Sequence, residues 1–194
     1  MAAWKLDTAH SSIHFSARHM MVGKVRGTFH KFTFEVDFDP EHPELGRVSA
    51  MAEAATIDTG SPDRDAHLRS GDFLDTDRYA TIAFTSSEVV PLSPDEFRLN
   101  GDLTIRDTTL PVIFDVEFLG VTANLDGGRT AGFTAKTSIG RHDFGLVWNA
   151  ALEAGGVAVS DEIKIEIDVE LLGPAASPPE PKSKPAKPVL VAAA

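Results

Sequence analysis

The chain contains no cysteine, which removes disulfides, thiol nucleophiles, thiolate-held zinc and iron–sulfur clusters together. Positive charge is also scarce: 18 Lys and Arg face 29 Asp and Glu, a formal net charge of −11 over 194 residues. Phosphate backbones are bound through clustered Lys and Arg that release counterions, and no stretch supplies such a cluster, so nucleic acid is not expected as a partner. No window approaches the ~20 consecutive apolar residues of a membrane-spanning helix, so no integral membrane segment is expected. The opening Met1-Ala2-Ala3-Trp4-Lys5-Leu6-Asp7 lacks the apolar centre of a secretory signal, and a cytoplasmic location is expected. Several enzyme signatures are missing as well. There is no HExxH and no GxSxG elbow, and Gly127-Gly128 and Gly155-Gly156 read as turn glycines, since neither pair leads into the Lys-Ser/Thr of a phosphate loop.

What is present fits one domain with an appendage. A chain this long removes ~70% of its unfolded surface from water and needs no metal or cross-link to fold. Composition changes after Leu171-Leu172-Gly173: half of the twelve prolines fall in residues 174–194, without one aromatic. Such a segment buries too little apolar surface to offset its ordering entropy, and is expected to be a disordered tail. It carries three lysines and one glutamate, so residues 1–173 hold −13. Pro185-Ala186-Lys187-Pro188 is formally a PxxP motif, a pattern that arises readily in Pro-rich sequence.

Residues 1–173 repeat a two-residue period. Ile163, Ile165, Ile167, Val169 and Leu171 alternate with Lys164, Glu166, Asp168 and Glu170, the mark of a strand buried on one face and wet on the other. The same alternation runs through Phe32 to Phe38, Phe97 to Ile105 and Val112 to Phe118, and more weakly through Ile13 to Ala17, Val48 to Ala52, Ile82 to Phe84 and Ala131 to Ala135. Turn signals separate these eight candidate strands, indicating an antiparallel sandwich or barrel. A barrel interior bordered by Phe on one wall and Ala50, Ala52, Ala131 and Ala135 on the other either encloses an apolar cavity or packs solid, and periodicity leaves both open.

One segment breaks the pattern. Ser61-Pro62-Asp63-Arg64-Asp65-Ala66-His67-Leu68-Arg69-Ser70-Gly71 has a capping Ser, Pro at the first helical position, early acids and a closing Gly, so a short helix is expected over 61–71, supported by an Asp65–Arg69 pair. Phe144 through Ala154 is apolar without alternation, a loop or short helix carrying Trp148. His10 and His14 share a strand face while His19 falls on the other, so no metal site is expected. Asp7, Ser11 and His14 lack the surroundings of a nucleophilic triad, and no catalytic residue is assigned.

Trp4-Lys5-Leu6-Asp7-Thr8-Ala9-His10-Ser11, with Ile13, Phe15 and His19 and then Val25-Arg26-Gly27-Thr28-Phe29, resembles the opening of the YceI-like, polyisoprenoid-binding family. The resemblance continues through Arg64-Asp65-Ala66-His67-Leu68, Asp72-Phe73-Leu74-Asp75, Tyr79 to Ser86, Gly101 to Ile105, Gly132-Phe133, Arg141-His142-Asp143-Phe144-Gly145 and Ile163-Lys164-Ile165. It departs at Ala80, where the family often has proline, and at Leu74, where an aromatic is preferred. The resemblance implies a YceI-like domain over 1–173, an eight-stranded antiparallel lipocalin-like barrel around an apolar tunnel. It also implies a bound long-chain isoprenoid or related amphipathic lipid, with no required cofactor.

On that reading the candidate lumen residues are Phe15, Phe32, Phe34, Phe84, Phe114, Phe118, Phe133, Phe144, Trp148 and Ile165, with Arg64, His67 and Arg141 at the mouth. The function expected is non-catalytic carriage of a lipid such as a polyprenyl quinone, as monomer or homodimer. Two other functions stay open: an enzyme using His19 or His67 with Asp65 as acid and base, and an interaction module acting through the Pro-rich tail.

Overall fold

A computed structural model describes residues 4–20, 22–39, 42–124, 127–151 and 156–174. Residues 175–194, which include nearly all of the expected tail, lie outside the described residues. The described chain is all-β apart from three short 3₁₀ turns and one helix. The strands are β1 (Lys5–Leu6), β2 (Ser12–His19), β3 (Gly23–Phe29), β4 (Phe32–Asp37), β5 (Arg47–Glu53), β6 (Ile57–Asp58), β7 (Thr81–Pro91), β8 (Glu96–Ile105), β9 (Thr108–Ala123), β10 (Arg129–Gly140) and β11 (Val159–Gly173). Helix α1 (Pro62–Arg69) follows β6. None is a helix long and apolar enough to cross a membrane, among the described residues.

All pairings are antiparallel, in the order β4-β5-β7-β8-β9-β10-β11-β2-β3-β6, with β1 added beside the end of β11. The sheet curls until β4 and β3 approach. The ladder path does not close into a full ring; Glu53 N–H donating to Lys31 O (2.9 Å) extends the β4–β5 ladder by one rung, and His30 N–H donating to Thr56 O (3.3 Å) extends the β3–β6 ladder. The antiparallel class and the short helix therefore stand, but among the described residues eleven strands replace the expected eight. Two of the additional strands are two-residue pieces. The third, β3, has Gly27 at its centre, which hides the apolar alternation of Val25 and Phe29.

Gly27 is required by its neighbour. It pairs with Phe15 of β2, and a Cβ there would lie 2.3 Å from Phe15 Cζ, so the ring covers bare backbone and fills the space a side chain would need. Gly101 of β8 stands the same way under Phe84, whose Cζ would be 2.4 Å from an added Cβ. Along β9 and β10 the register shifts between Gly132 and Phe133: Phe133 faces Phe118 and Gly132 faces Gly120. Leu119 is the extra residue of this bulge and is exposed.

Inward side chains form two clusters. The larger holds Phe29, Phe84, Leu103, Phe114 and Phe144 in the body of the barrel. The smaller, Trp4, Phe38, Ala131 and Leu171, packs with Phe118 and Phe133 at one end. Since β11 begins at Val159 and ends at Gly173, this cluster lies at the opposite end from the start of β11. Phe38 meets Trp4, Phe118 and Phe133 edge-on at centroid distances of 5.7, 5.5 and 5.0 Å, geometries favoured by the ring quadrupole. These rings close that end.

Candidate functional site

The other end is built differently. A cavity of about 520 Å³ opens there, within the ~300–1,000 Å³ usual for small-molecule sites. Its walls are apolar side chains from both sides of the curled sheet, among them Ile13, Phe29, Ile82, Leu103, Ile139 and Ile163. Its polar groups gather at the rim: Arg18 and His19 from the end of β2, Asp63, Arg64 and His67 from α1, and Arg141 after β10. Such a space offers water few partners and favours an apolar guest with a polar end at the mouth.

Of the candidate lumen residues, Phe15, Phe34, Phe84, Phe114, Trp148 and Ile165 line this cavity. Phe133 lines a second, smaller cavity of about 130 Å³ beyond it. Phe118 stacks on Phe133 at 5.1 Å in the closed end, Phe32 packs against the main cluster edge-on to Phe34, and Phe144 is buried within that cluster; none of these three lines either cavity. Alternation on a strand identifies the inward face without saying how far along the barrel the residue lies, which is why these were not separable in sequence.

The three mouth residues differ. Arg141 is only 2% exposed and is committed to the backbone: Nε donates to Ser160 O (2.9 Å), Nη1 to Leu146 O and to Trp148 O (2.9 Å), and Nη2 to Val159 O (3.4 Å). Burial pushes the guanidinium below its ordinary pKa, and the Asp161 carboxylate offsets part of that. Arg141 thus pins the loop that carries Trp148 to the start of β11, a role the sequence did not show. Arg64 is exposed, and its Nε and Nη2 donate to Thr59 Oγ1 (2.7 Å) and Thr59 O (2.9 Å). His67 stands at the rim with Phe73 and Trp148 edge-on to its ring at 5.0 and 4.6 Å.

The local support of α1 also differs from expectation. Ser61 makes no side-chain cap. Asp65 is buried and faces back instead, accepting from Thr59 N–H (2.9 Å) and Thr59 Oγ1–H (2.5 Å), so the expected Asp65–Arg69 pair gives way to a tie between the helix and the strand end before it. Arg69 donates to Ile57 O at 3.4 Å. Asp65 and His67 are not brought together as an acid–base pair: the partner of His67 Nε2 is Asp72 Oδ2 at 2.9 Å. The segment after Phe144 is a loop, and residues 152–155 of it lie outside the described residues.

Among the described residues one group gathers potential metal ligands, Asp7, His10 and Glu170, with ligand atoms within 4.8 Å. It lies at the closed end, beyond the cavity, and its contacts satisfy one another. His10 Nδ1 is 2.9 Å from Asp7 Oδ2, which holds the imidazole above its ordinary pKa, with the charges of Asp7 and Glu170 adding to the effect. Asp7 is held below the usual carboxylate value, first by that hydrogen bond; desolvation opposes this and the Ala9 N–H adds to it. His14 and His19 point elsewhere: both are exposed, and His14 pairs across the sheet with Glu166 and Thr28 positions.

An antiparallel barrel with rings packed across one end and an apolar cavity opening at the other defines the class of fold: a curled, lipocalin-like barrel with an internal cavity. Residues 4–171 match the family model of the YceI-like domain, and the chain belongs to that family. It is 37% identical over 171 residues to a UPF0312 protein of Staphylococcus aureus (strain MSSA476), covering 88% of this chain and 97% of that one. The fold is shared with Burkholderia cenocepacia BcnA, at a TM-score of 0.76, 23% identity, and coverage of 86% of this chain and 99% of that chain. It is also shared with a polyisoprenoid-binding domain from Saccharophagus degradans, at a TM-score of 0.64, 12% identity, and coverage of 90% and 100%.

Proposed function

We propose that the protein is a non-catalytic lipid carrier whose lumen holds the tail of a long-chain isoprenoid, such as a polyprenyl quinone, or of a similar amphipathic molecule. The observation that carries this reading is the distribution of polarity in the 520 Å³ cavity, apolar along its walls and polar only at its rim. Each methylene moved from water into such a wall contributes ~0.8 kcal/mol, so a long tail supplies most of the affinity and the head supplies orientation. The name of the Saccharophagus degradans domain points the same way.

The head group is expected to be neutral. Residues 1–173 carry −13, a field that opposes a pyrophosphate. Of the three candidate mouth residues, Arg141 has most of its donors engaged by carbonyls and Arg64 has two engaged by Thr59. We take His67, whose Nε2 meets Asp72 and whose ring Trp148 and Phe73 flank, as the group that meets a carbonyl or hydroxyl head.

Native mass spectrometry of the full chain purified without detergent, followed by extraction, tests this. A stoichiometric isoprenoid or fatty adduct returned chemically unchanged is the expected result, and it should persist when residues 174–194 are deleted. A protein that carries no lipid and takes up neither added polyprenols nor quinones would sink the carrier reading. Tighter binding of a polyprenyl pyrophosphate than of the matching alcohol would overturn the neutral head.

A further inference from the structure

The two cavities share their boundary. Phe34, Ala50, Phe84, Phe114 and Ile167 line both the 520 Å³ chamber and the 130 Å³ chamber behind it. These five come from β4, β5, β7, β9 and β11; Phe34 pairs with Ala50 and Ala50 with Phe84, and Phe114 joins them through its ring contact with Phe84. On β8, Leu99 lines only the rear chamber and Leu103 only the front one, and the inward residue between them is Gly101. The ring of Phe84 lies over that glycine and meets Phe114 edge-on at 5.2 Å. One aromatic ring therefore occupies the place of two side chains in a belt across the lumen, and contacts on both sides hold it there.

The geometry points to this belt, with Phe84 as its movable-by-mutation element and Phe114 as its brace, being a chain-length gauge: the ligand's tail ends against it, and the rear chamber lies beyond reach. The inference rests on the carrier reading above and adds a specificity that reading does not contain. An apolar tail gains affinity only for carbons it places against protein, so chains longer than the front chamber gain nothing further.

The test is isothermal titration of the full chain, stripped of lipid, with a homologous series of straight-chain fatty alcohols. In the wild type Kd is expected to fall about fourfold per added methylene until the tail reaches the belt, then to level off. In Phe84→Leu, and independently in Phe114→Leu, the break moves to longer chains. The ratio of 130 Å³ to 520 Å³ sets the shift at about a quarter more carbons. Leu keeps most of the buried volume, and thermal melts confirm that each variant is folded. Phe15→Leu, which alters the front chamber alone, weakens all chain lengths alike and leaves the break in place. A break unmoved in both belt variants, or a wild-type affinity that keeps rising through all chain lengths, overturns the gauge while leaving the carrier intact. A wild type that binds no alcohol of any length overturns the carrier reading and the gauge with it.

Discussion

At one end of the barrel Phe38 touches three other aromatic rings; at the other, Phe73 and Trp148 flank His67 above a cavity of about 520 Å³. The residue types are similar and the outcomes opposite. The closed end draws its rings from four separate stretches of chain, around Trp4, Phe38, Phe118 and Phe133, so they converge and exclude water. Trp4 is further fixed between the Gly173 backbone and the Arg129 guanidinium, 5.3 Å above its ring. The open end holds its rings on α1 (His67), on the turn after it (Phe73) and on the loop after Phe144 (Trp148), outside the sheet, where they border space. What separates a plug from a mouth here is which elements carry the rings, and the contrast can be broken from either side.

The largest effect is expected from Phe38→Ala, which removes the ring common to three edge-on contacts. A buried Phe→Ala change costs ~3–5 kcal/mol, read as a lower denaturant midpoint with an unchanged slope. The rear chamber would also open to solvent at the closed end, while lipid seated in front of the Phe84–Phe114 belt should dissociate from the folded variant at an unchanged rate. A loss under about 1 kcal/mol would mean that the rings are dispensable for closure.

Arg141→Ala is expected to come next. It takes a donor from the carbonyls of Leu146, Trp148 and Ser160 in a buried setting, while Val159 O keeps Asn149 Nδ2 (2.8 Å), a loss of roughly 2–4 kcal/mol. Arg141→Lys should restore only part of it, because one ammonium with three donors cannot reproduce the planar fork. The open end then loosens while the plug does not, which hydrogen exchange reports as lost protection confined to β11 near Val159 and to the neighbouring loop. Protection lost equally near Leu171 would contradict that separation. A smaller stability change, about 1 kcal/mol, is expected for half-buried Trp148→Ala, with a disproportionate drop in lipid uptake measured by titration.

The closed end was more legible than the open one. Alternation along β11 and β4 fixed which faces point inward, because a period of two admits only two assignments. Gly27 concealed β3 because its place is filled by Phe15 from the next strand, and no reading of one strand at a time reveals that. The helix was visible from Pro62 and its flanking residues, but its anchor, Asp65 to Thr59, replaced the expected cap and ion pair. Arg141 was legible as part of a family pattern and illegible in role, since its acceptors are carbonyls from both sides of a loop, and carbonyls have no sequence signature. The depth of each Phe in the lumen depends on register, which also explains why six of ten candidate lining residues reached the main cavity and Phe118 and Phe133 joined the plug.

The smallest effect concerns the surface clasp of half-buried Asp7 and Glu170 with exposed His10 that ties the first residues to the end of β11. His10 is raised above its ordinary value of 6.5, so its contribution is complete below that value and fades as pH rises through the raised folded one. Asp7 is lowered from 3.8, so its contribution is present above that value and fades as pH falls through the depressed one. Both act together in the mildly acidic range between the two ordinary values. The melting temperature of the wild type should therefore decline from that range toward alkaline pH, and His10→Ala should flatten the decline. Because His10 is exposed, added salt should weaken the effect in the wild type and change little in the variant. Parallel pH profiles in both proteins would mean that the clasp does not contribute to closing this end, leaving the work to the rings of Trp4 and Phe38.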